Sequence, residues 1–69
     1  MCYIVRVKGK WVNAQDWYYI SDTDGNLSTI NNKIGATKFN TAAEAFVVAK
    51  RIRRPFNTVR VCNYAENSK

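Results

Sequence analysis

The stretch AKRIRRPF, residues 49–56, carries four basic residues, Lys50, Arg51, Arg53 and Arg54, and then Pro55. Ammonium and guanidinium groups at this density make charge-assisted hydrogen bonds to phosphate oxygens. The spacing therefore points to contact with a polyanion. The same cations also offset the negative end of a helix dipole, each contributing about 0.3–1 kcal/mol, and two would suffice for that. A second set, Arg6, Lys8, Arg60 and Tyr64, falls in strand-like sequence. Cations interleaved with an aromatic ring suit the phosphates and bases of single-stranded nucleic acid. Such cations also guard strand edges against aggregation, and aromatics with Arg are equally enriched in protein interfaces. Nucleic acid is the first expectation for a partner, through Lys50, Arg51, Arg53, Arg54, Arg6, Lys8, Arg60 and Tyr64. The alternative is a protein-interaction module.

Equipment for catalysis is sparse. The chain has no His, and its two cysteines, Cys2 and Cys62, stand alone without a C-x-x-C pair for zinc. Asp22 and Asp24 lie in DTDGN, a turn sequence in which Asp is favoured for local hydrogen bonding. The same run could open a calcium loop, but the twelfth position, where a bidentate acid belongs, is Lys33. Neither a Walker A loop nor G-x-G-x-x-G is present. The expectation is a non-catalytic binding protein with no metal and no cofactor.

The residue totals narrow the class further. With 69 residues the chain makes one domain, and a domain of this size buries only about 60% of its unfolded surface. A hydrophobic content of 46% is too high for a disordered chain. The net charge of +6 favours polyanionic partners. MCYIVRVKGK lacks the basic leader and apolar run of a signal peptide, and no window resembles a membrane span. A cytoplasmic protein with reduced thiols and no membrane contact is expected.

Alternation and turn chemistry place the elements. CYIVRV, residues 2–7, reads as a strand with Tyr3, Val5 and Val7 on one side. WYYIS, residues 17–21, is a second strand. Asp24-Gly25 then signals a hairpin into NLSTI, residues 26–30. NNKIGATKF is a polar connection, with Ile34 and Phe39 as anchors into the core and weak strand character over residues 33–39. Thr41 and Glu44 form a T-x-x-E capping box. Ala42, Ala45, Ala49 and Ile52, flanked by Val48 and Phe46, make an apolar helical stripe, and Pro55 ends the helix at Arg54. TVRVCNY, residues 58–64, is the last strand. The domain spans residues 1–64, with 65–69 a frayed tail.

The fold class is therefore α+β. A two-layer sandwich is expected: a three- or four-stranded sheet in β-β-β-α-β order, with one amphipathic helix on one face. Tyr3, Val5, Val7, Val59 and Val61 should face the helix. The other face should stand open, carrying Ile4, Arg6, Lys8, Arg60, Cys62 and Tyr64. A crossover through the helix would make the first and last strands parallel. Cys2 and Cys62 would then lie at opposite ends, too far apart for a disulfide. Whether an edge strand mediates homodimerisation stays open.

The run IGATKFNTAAEAFVVAKRI, preceded by WYYIS and a turn, resembles small uncharacterised proteins encoded by phages and prophages of Gram-positive bacteria. Those proteins carry a Lys-Phe-x-Thr-x-x-Glu-Ala helix start behind a short sheet, matched here by Lys38, Phe39, Thr41, Glu44 and Ala45. The resemblance covers residues 17–53. It implies a cytosolic accessory protein of a mobile element that binds nucleic acid or a host factor, such as an inhibitor or modulator of that factor. It carries over no functional site.

Overall fold

In the computed structural model, which describes residues 2–64, the elements follow the expected order: β1 (Cys2–Gly9), β2 (Asp16–Thr23), β3 (Asn26–Ile30), α1 (Ala42–Ile52) and β4 (Asn57–Tyr64). Met1 and the expected tail at 65–69 lie outside the described residues. The strands form one four-stranded sheet in the order β3-β2-β1-β4, and each neighbouring pair is antiparallel. The β2–β3 hairpin closes on Thr23↔Asn26. Its two turn residues, Asp24 (φ 53°) and Gly25 (φ 81°), both have positive φ, the backbone that matches the twist of the flanking strands.

The first and last strands do not run parallel. β4 pairs with β1 antiparallel, from Cys2↔Tyr64 to Gly9↔Asn57. The cause is the connection between β3 and α1. It runs back along the sheet, bonding first to Tyr19 and then to Tyr3, so α1 begins near the start of β1. The helix then travels toward the Gly9 end, and β4 must return from there. The loop, not the helix, makes the reverse journey. Cys62 consequently sits opposite Ile4, and Cys2 opposite Tyr64, so both cysteines lie near one end of the sheet. Both carry thiols, and the Cys2 Sγ donates to the Tyr64 carbonyl at 3.4 Å.

The connection also passes between β1 and β2. Those strands pair only over Arg6–Lys8 and Asp16–Tyr18. Beyond that, Tyr3 and Phe39 exchange two backbone bonds of 2.9 and 2.8 Å, Thr37 N donates to the Tyr19 carbonyl at 3.0 Å, and the Thr37 hydroxyl donates to the Ile20 carbonyl at 2.6 Å. The weak strand expected over residues 33–39 is thus a single bridge at Phe39. Of its two expected anchors, Phe39 holds and Ile34 does not. Phe39 stacks against Tyr19 with ring centroids 6.0 Å apart, whereas Ile34 is 78% exposed. The tight turn in which Ala36 N donates to the Lys33 carbonyl puts Ala36 inward instead.

Two apolar clusters result, one on each face. The first joins Val5, Val7 and Tyr19 to Ala45, Val48, Ala49 and Ile52 of the helix, with Tyr3, Val59 and Val61 against it, as the alternation required. Phe46, at the edge of the expected stripe, is exposed. The second gathers Ile4, Tyr18 and Ala36, with Ile30, Cys62 and Tyr64. The face opposite the helix is therefore not open along its whole length, because the loop around Ala36 covers the half containing Ile4.

Candidate nucleic-acid interface

The helix start is half of a capping box. The Thr41 hydroxyl accepts from the Glu44 N–H at 3.2 Å, and Thr41 is extended at φ −131°, ψ 154°. Among the described residues the Glu44 carboxylate makes no return bond to the Thr41 N–H. At the far end, α1 stops at Ile52 and Arg53 turns extended, earlier than Pro55 alone required. Lys50 and Arg51 thus occupy the last helical turn, while Arg53 and Arg54 lie in the exit. That exit is a tight turn in which Asn57 N donates to the Arg54 carbonyl at 3.2 Å. The Asn57 side-chain oxygen accepts from Arg54 N at 3.1 Å. This pairing explains why a buried Asn is tolerated there.

The four basic residues of this end have different duties. The Arg51 guanidinium grips the Asp22 carboxylate through Nε at 2.6 Å and Nη2 at 2.8 Å, a planar two-point match. The Tyr19 hydroxyl donates to the same carboxylate. The Arg51 bonds chiefly, and the Tyr19 bond next, hold the Asp22 carboxyl down to about 2, below its ordinary 3.8. Burial, and then the neighbouring carboxylate, push the Tyr19 hydroxyl up. The bond to Asp22 pushes Arg51 further up still. The Arg54 Nη1 donates to the Arg51 and Arg53 carbonyls at 3.1 and 2.8 Å, satisfying carbonyls that the helix end leaves without partners. Lys50 and Arg53 are exposed, and among the described residues their side chains take no part in these bonds.

Two basic clefts flank the edge strand β4. One is lined by Lys10, Arg53, Arg54, Pro55, Asn57 and Thr58. The other, on the opposite face, is lined by Arg6, Lys8, Gly9, Thr58 and Arg60. Thr58 belongs to both, so the two sets of cations meet around the edge. Arg6 and Arg60 are direct cross-strand neighbours. Asp16 stands across from Lys8 without closing an ion pair. Among the described residues the sole ion pair is Arg51–Asp22, so the cations of the two clefts close none there.

The structure thus brings together Arg53, Arg54, Arg6, Lys8 and Arg60 from the expected set and commits Arg51 elsewhere. Tyr64 is half-buried on the second cluster, with the Lys38 ammonium 4.9 Å from its ring centroid. That cation–π contact leaves Tyr64 less of a free stacking surface than an uncovered face would. Lys10, which sequence reading did not single out, joins because its N–H donates to the Phe56 carbonyl at 3.1 Å, fastening the β1–β2 connection to the helix exit. Among the described residues no group of three or more His, Cys, Asp or Glu could hold a metal ion, and no helix is long and apolar enough to cross a membrane. Comparison with protein-family models, curated proteins and solved structures finds no match for this chain.

Proposed function

We propose that this protein binds nucleic acid without catalysis, through phosphate contacts made by a basic band around β4. The observation that carries the reading is the meeting of two basic clefts at Thr58. Six cations, Lys10, Arg53 and Arg54 on one side and Arg6, Lys8 and Arg60 on the other, bracket one strand. With a net charge of +6, like-charge crowding there disfavours the empty surface and favours a polyanion. Contacts of this kind position a protein on its ligand without specifying bases. The reading suits a cytoplasmic accessory protein of a mobile element, as the resemblance to phage and prophage proteins implies.

Titration of labelled single- and double-stranded oligonucleotides at low salt tests it. The paired change Arg53→Gln/Arg60→Gln removes one charge from each side of Thr58 and should weaken binding to all sequences alike. Lys33→Gln, in the β3–α1 connection, should leave affinity unchanged. Absence of wild-type binding at low salt would overturn the proposal in favour of a protein partner, such as a host factor.

A further inference from the structure

The helix covers only part of its own face of the sheet: it rests on β1 and β4, and the remainder is lined by aromatic side chains. Val7, Trp11, Trp17, Leu27, Thr29 and Phe56 wall a shallow groove there. Trp11 and Phe56 are each 64% exposed, Leu27 42% and Trp17 38%. Large apolar side chains gathered in this way on a small domain mark an interaction surface.

Trp11 is held in place although it faces solvent. A Cβ built on Gly9 would fall 1.9 Å from Cζ3 of Trp11 and 2.1 Å from its Cη2. The indole therefore lies where a side chain at position 9 would stand, and glycine is what admits it. The backbone turn from Ala14 N to the Trp11 carbonyl, 3.2 Å, and the Lys10–Phe56 bond fix the flanking chain. The ring thus lies against Gly9 of β1 while most of the residue faces solvent, an arrangement that suits a stacking platform.

The surroundings of the groove decide its occupant. Asn57 lines both this groove and the cleft of Lys10, Arg53 and Arg54. Leu27 and Phe56 line both the groove and a further cleft shared by Arg54 and the Arg51–Asp22 ion pair, in which Arg54 is the cation not paired with a carboxylate. Trp11 follows Lys10 directly, and Phe56 follows Arg54 and Pro55. Aromatic faces thus open onto phosphate-binding cations, the pairing by which a groove tracks the backbone of a single strand while rings stack on its bases. We propose that this groove stacks the unpaired bases of a single-stranded nucleic acid on Trp11 and Phe56, while Lys10, Arg53 and Arg54 hold its phosphates. The inference rests on the nucleic-acid reading above and adds a preference for single strands, since a duplex keeps its base faces stacked inside.

Trp11 and Trp17 are the chain's two tryptophans, so intrinsic emission reports on the groove directly. An oligothymidylate of about ten nucleotides should quench that emission as it binds. Trp11→Ala and Phe56→Ala should each weaken its binding about five- to hundredfold and leave affinity for a duplex of equal length unchanged. Both residues are largely exposed, so both variants should keep the circular dichroism of the wild type. Gly9→Val, which displaces the Trp11 ring while retaining it, should reproduce the loss. Single-strand binding with unaltered emission and full affinity in both alanine variants would overturn the groove while leaving the phosphate reading intact. No binding of any oligonucleotide at low salt would overturn both. An emission change that grows with protein concentration alone, accompanied by a doubled mass in sedimentation, would assign the groove to a second copy of the chain and overturn the proposal.

Discussion

Asp22 shows how one side chain ties two layers together. It lies on β2, receives two guanidinium bonds from Arg51 on α1 and accepts from Tyr19 on its own strand. Because its carboxyl is held at about 2 against an ordinary 3.8, the folded state keeps it ionised where the unfolded chain begins to take up a proton. The stability it contributes is therefore fully present above pH about 4 and is lost as pH falls through about 2. Acid denaturation followed by circular dichroism should show this loss within that window. Asp22→Asn should lower stability at neutral pH and flatten the same part of the curve. An unchanged acid profile in that variant would mean that Arg51 is not held by Asp22 in solution. The consequence for binding is that Arg51, in the middle of the basic run, is already engaged, while Arg53 and Lys50 beside it are not.

Among the elements, helix α1 has a start that a single side chain, Thr41, caps. Thr41→Ala leaves the Glu44 N–H without its acceptor and should cost about 0.5–2 kcal/mol, seen as a fall of several degrees in Tm for a domain of this size. The start of α1 and the β2–β3 turn were legible in sequence because local chemistry alone sets them. Thr41 caps whatever helix follows, and Asp24-Gly25 accepts positive φ wherever it stands. The side of the sheet on which each residue of β1 and β4 faces was legible for the same reason, from alternation. The direction of β4 was not, because it depends on how residues 31–41 travel, and that path is decided by long-range bonds from Thr37 and Phe39 to Tyr19 and Tyr3. The exchange of Ile34 for Ala36 as the inward residue has the same origin: hydropathy favours Ile34, but the turn from Lys33 to Ala36 sets Ala36 against Ile4 and Tyr18. The covered second face makes a further prediction. Ile4 has no exposed surface, so Ile4→Ala should cost about 2–5 kcal/mol in denaturant unfolding. A cost below about 1 kcal/mol would mean that the face stands open after all.

For the molecule as a whole, the proposed function rests on what the helix and the loop leave uncovered. One helix and one connection cannot cover both faces of a four-stranded sheet, and the parts left bare include both edges, β3 and β4, the cations around β4 and the aromatic groove beside it. Sequence reading found the cations by their density at residues 50–54 but could not tell which were engaged. It placed Trp17 in a strand without settling its exposure, because alternation gives the face of a residue and not the reach of the helix above it. Trp11 and Lys10 lie in a connection and had no periodic pattern to mark them. Their place beside Phe56 is set by one backbone bond from Lys10 to the Phe56 carbonyl.

The salt dependence of wild-type binding to a labelled single strand, followed by fluorescence anisotropy, tests the central claim most directly. Each phosphate neutralised contributes roughly −0.7 to the slope of log affinity against log salt. The six cations around Thr58 therefore predict a slope with magnitude of up to about 4. Replacing Arg53, Arg54 and Arg60 together by Gln should reduce that magnitude by up to about 2. Binding whose affinity barely changes with salt, or a full slope retained by the triple variant, would contradict the assignment of this band as the phosphate-binding surface.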